Sequence, residues 1–161
     1  MSSGLKNLSD YNADGLSAAG MSISIVVSEW NREVTEALYA GAHETLVSLG
    51  ADENYIRRLD VPGSYELPAG ALWAAEKNKP DAVICLGCVI QGETRHFDFI
   101  CESVANGLMQ LNLSHGIPFI FGVLTPENIE QALARAGGRH GNKGIEAAVT
   151  AVKMVALKKS L

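Results

Sequence analysis

Apolar and polar positions change period repeatedly along this chain, and each change marks an element. "ISIVVS" (23–28) is a β-branched run that predicts a strand. From 32 to 49 the spacing widens to that of a helix, with Val34, Leu38, Ala42, Leu46 and Leu49 on one face and Gly50 as the stop. "YIRRLDVPG" (55–63) predicts a second strand. The helix expected in "SYELPAGALWAAEKNK" (64–79) carries Pro68 in its first turn, lysines in its last and Pro80 beyond its end. "DAVICLGCVI" (81–90) is apolar on both faces, as a central parallel strand must be. Phe97, Ile100, Val104, Leu108 and Leu111 then give another amphipathic helix, ended near Gly116 and Pro118. "PFIFGVLT" (118–125) predicts a fourth strand. It leads into "PENIEQALARAG" (126–137), with Thr125 as N-cap, Pro126 at the first helical position and Glu127 in the first turn. Gly137 and Gly138 break this helix, and "GGRHGNKG" reads as a turn joining it to a last helix that runs from about Asn142 through Ile145, Val149, Val152 and Val155.

Strands alternating with helices imply right-handed crossovers and a parallel sheet covered on both sides, here with four main strands. At 161 residues with 47% hydrophobic content the chain supplies one core, so a single domain over 1–161 is expected. Residues 1–20 are expected to form an extended arm or a pairing strand.

The formal net charge of −5 argues against a nucleic-acid or anionic-membrane surface, which would need a concentrated basic field. An anionic ligand must therefore be gripped locally. No apolar run approaches the roughly 20 residues of a spanning helix. The first 20 residues contain no continuous apolar stretch, so they read as neither a signal peptide nor an anchor. Cys85, Cys88 and Cys101 are odd in number, which predicts free thiols in a cytoplasmic protein. "CLGC" lies inside a strand pattern rather than at a helix start, and its two cysteines should point to opposite faces, which favours packing over redox or metal chemistry.

In parallel α/β sheets, ligands sit beyond the carboxyl ends of the strands. That selects "SEWN", "VPGSYELP", "CVIQGETRH" and "FGVLTPE". Gly92 allows close approach of the backbone to a ligand. Glu93 and Thr94 open the following helix, whose free amides and dipole suit a phosphate, although Thr94 could equally serve as a plain cap. His96 falls in that first turn, where its charge would depend on whether the anion is bound; it is a proton-transfer candidate or a surface histidine. Arg135 could contact phosphate or stand solvated at a helix end. Trp30 and Tyr65 could stack a planar ring or pack in the core. Glu66 could accept hydrogen bonds from a polyol or bias its helix start. No nucleophile, metal cluster, G-x-G-x-x-G or G-x-x-x-x-G-K-[ST] motif accompanies them.

"VPGSYELP", "LGCVIQGETRHFDF", "FIFGVLT" with "PENIEQALARAGG", and "GNKGIEAA" together resemble the motif series of the 6,7-dimethyl-8-ribityllumazine synthase family, in order and properly spaced from Ile23 onward. The resemblance implies a flavodoxin-like three-layer α/β/α sandwich without metal or organic cofactor. It also implies condensation of 5-amino-6-ribitylamino-2,4-pyrimidinedione with 3,4-dihydroxy-2-butanone 4-phosphate in riboflavin biosynthesis. Carried over by motif, Trp30 would stack on the pyrimidine. Ser64, Tyr65 and Glu66 would hold the ring and its ribityl chain, and backbone at Cys88, Val89 and Ile90 would bind the ring's polar edge. Glu93, Thr94 and Arg135 would take the phosphate, and His96 would transfer protons. Phe121, with Arg135 and Lys143 as further candidates, would enter from a neighbouring subunit of a homo-pentamer. A sixty-subunit shell of twelve pentamers is permitted by the lack of an insertion in "AGGRHGNKG". Tryptophan at 30, cysteine at 88 and glutamate at 93 depart from the family's commoner residues without removing its chemistry. Competing readings are a non-catalytic flavin- or lumazine-binding protein, a shell-forming protein of the same fold, and the related archaeal-type riboflavin synthase, which would consume lumazine.

Overall fold

Strands β1 (Ile23–Ser28), β2 (Ile56–Val61), β3 (Ala82–Cys88) and β4 (Phe119–Leu124) form a four-stranded parallel sheet in the order β2-β1-β3-β4. The computed structural model describes residues 7–161. The two interior strands, β1 and β3, are buried at every position. The edge strands are not: β2 exposes or half-exposes all but Val61, and β4 exposes Phe121. The run 81–90, apolar on both faces, therefore contains the interior strand β3, as the pattern predicts.

Helices α1 (Arg32–Ser48) and α5 (Lys143–Ser160) cover one face, and α2 (Leu67–Asn78) and α3 (His96–Ser114) cover the other. The result is a flavodoxin-like three-layer α/β/α sandwich. Ile25, Ile84, Leu38, Leu46, Ala148 and Val152 meet on the first face; Val26, Val83, Leu67, Ala71, Val104 and Leu108 meet on the second. Each large aliphatic side chain fully buried here contributes roughly 1.5–3 kcal/mol relative to exposure. Helix α2 lies close on the sheet because residue 70 is glycine: a β-carbon there would stand 2.7 Å from Val61 Cγ1 and 3.1 Å from Val26 Cγ1.

Cys85 and Cys88 project into opposite cores, as their spacing predicts, and the three cysteines are free. Burial pushes the Cys88 thiol up to about 12, with Cys101 adding to the shift, and burial likewise raises Cys85.

Two helix starts differ from the expectation. Helix α4 (Ile129–Ala134) begins at Ile129 rather than after Thr125, because the Asn128 side chain accepts the Gln131 N–H at 2.9 Å and caps the helix there. Helix α3 begins at His96 rather than at Glu93; Thr94 Oγ1 accepts the His96 N–H at 3.4 Å from just outside it.

Beyond α4, β5 (Ala136–Gly138) and β6 (Gly141–Asn142) make a short antiparallel hairpin. Residues 7–22 lie against the body without forming helix or strand. Leu8 and Ala18 are buried; the Leu8 N–H donates to His140 O at 2.8 Å and the Ala18 N–H to Leu49 O at 2.8 Å. Residues 1–6 of the expected arm lie outside the described residues. Asn142 joins several parts: its Oδ1 accepts the Gly144 N–H at 2.8 Å, its Nδ2 donates to Ala37 O at 2.9 Å, and its N–H donates to Ser9 Oγ at 2.9 Å. It thereby caps α5 while tying it to α1 and the N-terminal segment.

On the β2 side, Arg58 donates to Glu36 Oε2 at 3.0 Å and to Asp60 Oδ1 at 3.0 Å, and its guanidinium lies 4.4 Å from the Tyr39 ring centroid. Hydrogen bonding from Arg58 holds the Glu36 carboxyl below the usual carboxylate range. Among the described residues no helix is long and apolar enough to cross a membrane.

Candidate active site

The strand order reverses between β1 and β3, since the chain passes from β1 to β2 on one side and returns to β3 on the other. Outside the carboxyl ends of those two strands the diverging connections leave a crevice. Three of the segments selected from sequence converge on it.

Trp30 follows β1 and is 73% exposed, so it stands free for stacking rather than in the core. Its N–H donates to Pro62 O at 3.2 Å, which sets the indole beside the turn that follows β2. In that turn Tyr65 is also exposed, at 60%, while Ser64 points inward. The Glu66 carboxylate folds back to accept the Gly63 N–H at 3.0 Å, which shapes the turn and leaves its second oxygen toward solvent. Ser64 Oγ and Ser28 Oγ are both buried, with no hydrogen-bond partner among the described residues. Both approach Gly87 of β3: a β-carbon there would lie 2.6 Å from Ser64 Oγ and 3.3 Å from Ser28 Oγ. The absence of a side chain at 87 is what lets the β2 turn settle over β3.

At the end of β3, Cys88 is buried, and Val89 and Ile90 are half-buried. The Val89 N–H donates to Leu124 O at 2.9 Å and the Gln91 N–H to Pro126 O at 3.0 Å, so this connection is stitched to the end of β4. Gly92, Glu93, Thr94 and His96 follow, all exposed, with His96 as the first residue of α3. Its position places an imidazole at a helix entrance where backbone N–H groups lack helical acceptors.

Phe121, Arg135 and Lys143 come from β4 and from the segments that follow it. Phe121 is on edge strand β4 and 38% exposed. Arg135 and Lys143 line a cavity of about 270 Å³ with Leu8, Thr125, Pro126 and Gln131. Arg135 Nη1 donates to Gln131 O at 3.1 Å, and Lys143 Nζ pairs with Glu146 Oε1 at 2.5 Å. Among the described residues, no hydrogen bond or ion pair joins either cation to Glu93, Thr94 or His96. No group of three or more His, Cys, Asp or Glu side chains is placed to hold a metal ion among the described residues.

Sequence reasoning passed over Asn31. Its backbone is left-handed, at φ 58° and ψ 49°, and its Nδ2 donates to Cys88 O at 2.9 Å across the crevice. The only signal is an asparagine between a strand and a helix, three residues past Ser28, a residue type that tolerates this conformation.

The sheet and crevice define a parallel α/β protein whose candidate ligand site opens between an exposed indole, a polar turn and the end of a central strand. The 6,7-dimethyl-8-ribityllumazine synthase family model matches residues 20–159. Proteins called 6,7-dimethyl-8-ribityllumazine synthase in Cytophaga hutchinsonii, Parabacteroides distasonis and Porphyromonas gingivalis are 57%, 51% and 47% identical to the chain. Those matches cover 97%, 96% and 99% of this chain and 98%, 98% and 99% of the three relatives. The chain belongs to the 6,7-dimethyl-8-ribityllumazine synthase family.

Proposed function

We propose that the protein is a working lumazine synthase. It condenses 5-amino-6-ribitylamino-2,4-pyrimidinedione with 3,4-dihydroxy-2-butanone 4-phosphate to give 6,7-dimethyl-8-ribityllumazine, inorganic phosphate and two molecules of water. The observation that carries this reading is the convergence of Trp30, the Ser64–Glu66 turn and the Cys88–Ile90 backbone on one crevice, with His96 at the helix entrance just beyond.

In this reading the pyrimidine stacks on the Trp30 indole and hydrogen bonds to backbone at Cys88, Val89 and Ile90. Ser64, Tyr65 and Glu66 hold the ring and ribityl chain, with the free Glu66 oxygen available to hydroxyls. The phosphate is received at Glu93 and Thr94, where the amide groups rather than the Glu93 carboxylate provide attraction. The 5-amino group attacks the ketone and water leaves to form an imine. Phosphate is then eliminated, and the ribityl-bearing nitrogen closes the second ring with loss of the second water. His96 moves protons during these steps, a contribution of ~10²- to 10⁴-fold. Holding two substrates together supplies a further share of the acceleration.

Phe121, Arg135 and Lys143 act on a neighbouring subunit's crevice. The lack, among the described residues, of any hydrogen bond or ion pair from Arg135 or Lys143 to Glu93, Thr94 or His96 supports this assignment, as does the exposure of Phe121 on an edge strand. The assembly is a pentamer, with a shell of twelve pentamers as its larger form. The protein works in the cytoplasm, where its three free thiols stay reduced.

The test is to mix the two substrates with the protein and follow lumazine fluorescence, identifying the product by mass. Turnover supports the reading; binding of lumazine or flavin without turnover rejects it.

A further inference from the structure

We propose that Asn31 is a positioning residue for the pyrimidine: its side-chain amide substitutes for a missing strand and holds the Cys88–Ile90 backbone ready for the ring. The inference rests on the function proposed above and goes beyond it by assigning a residue that does not itself touch the reacting atoms.

Asn31 sits at the N-cap of α1, where an extended backbone and a side chain bonded to its own helix are usual. Neither holds here. The backbone is left-handed, and the side chain makes no capping bond. The other described non-glycine residue with positive φ is Lys79, which closes the end of α2, a common place for that conformation. At Asn31 the helix gives up a side-chain cap and the backbone adopts a costly conformation, and the amide is directed to a carbonyl 57 residues away.

The reason lies in the ladder. In a parallel strand, alternate residues turn their N–H and C=O groups to opposite neighbours. Val89 and Gln91 face β4, to which both donate. Cys88 and Ile90 therefore face the β1 side, but the β1–β3 pairing stops at Val27 and Leu86. Beyond that point the Cys88 carbonyl has no strand to bond, and Asn31 Nδ2 takes the place of one at 2.9 Å. The Ile90 N–H, on the same side, has no acceptor among the described residues. Asn31 thus completes one rung and leaves the next open beside Trp30, the adjacent residue. A flat heterocycle stacked on Trp30 with an acceptor at its edge can take that open rung, pairing with Ile90 as a further strand would. The 2,4-pyrimidinedione has such an edge.

Two variants separate positioning from folding. Asn31→Gly removes the amide but accepts the left-handed backbone without strain. Asn31→Asp keeps the shape but sets a carboxylate oxygen against the Cys88 carbonyl. With both substrates varied in turn, Asn31→Gly is expected to raise the KM for the pyrimidine about tenfold, because the ring must then order the Cys88–Ile90 backbone as it binds. The KM for the phosphorylated ketone should stay at the parent's value, and the urea midpoint should move little, because glycine relieves the left-handed backbone and so offsets the lost bond to Cys88. Asn31→Asp should raise the pyrimidine KM further, and affinity for a non-reacting pyrimidine analogue should fall in the same order. An Asn31→Gly protein with the parent's pyrimidine KM overturns the assignment, as does an equal rise in both KM values. A parent protein that forms no lumazine overturns the functional reading and the substrate named here with it, an outcome distinct from an active parent with an unaffected variant.

Discussion

Ser64 Oγ lies over Gly87 so closely that a β-carbon at 87 would stand 2.6 Å from it and 3.0 Å from Leu67 Cδ1. Gly87→Ala must therefore lift the turn that carries Ser64, Tyr65 and Glu66, or displace the start of α2. Overpacking of this kind costs about 1–3 kcal/mol. The expected result is a lower urea midpoint together with a higher KM for the pyrimidine. A variant equal to the parent in both would show that the turn is not held by this contact.

His96→Ala should lower kcat by ~10²-fold or more at saturating concentrations of both substrates, while leaving measurable turnover because the crevice still brings the reactants together. The KM values should change little. An unchanged kcat would remove His96 from the proton-transfer role.

Arg135→Ala should raise the KM for the phosphorylated ketone by about tenfold or more, the cost of losing a charge-assisted contact to phosphate. A stronger check comes from mixing. If each site draws His96 from one subunit and Arg135 from the next, co-assembling His96→Ala and Arg135→Ala chains in equal amounts restores about a quarter of the sites, because head-to-tail neighbours combine at random. Activity that stays at the level of the separate variants would place both residues in the same subunit's site.

The Glu36–Arg58 pair makes acid stability measurable. Hydrogen bonding from Arg58 depresses the folded Glu36 pKa, so the folded state holds this proton less readily than the unfolded chain does. Its contribution is present above the unfolded glutamate value of about 4.3 and is lost as pH falls below that, toward the lower folded value. The urea midpoint of Glu36→Gln should accordingly lie below the parent's at pH 7, and the gap should narrow between about pH 5 and 3. Glu36 is partly exposed, so added salt should also shrink the gap. A gap independent of pH would assign the loss to packing instead.

Much of the fold was legible because its strongest signals are local. Ile23–Ser28 is a β-branched run and Ala82–Cys88 an apolar one, and both are interior strands. Val34, Leu38, Ala42 and Leu46 keep a helical period and are fully buried. The misread boundaries depend on competition between neighbouring side chains. Thr125 was an adequate cap, but Asn128 accepts a better-placed N–H three residues later. The β5–β6 hairpin shows in sequence only as the glycines of a turn. Its pairing is stabilised by residues far away in sequence, through Leu8 to His140 and Ser9 to Asn142. The crevice follows the same division. Its strand-end segments could be picked out from topology, whereas Asn31 could not, because its importance comes from where β1 stops relative to β3.

The bond from Asn142 to Ser9 and the packing of Leu8 beside Arg135 and Lys143 place residues 8 and 9 next to one of the two groups of candidate site residues. Leu161 is 98% exposed and follows an 18-residue helix, about 27 Å from where that helix starts at Lys143. A fluorophore attached at Leu161 therefore leaves the cation-lined cavity undisturbed, whereas one attached at Leu8 crowds it.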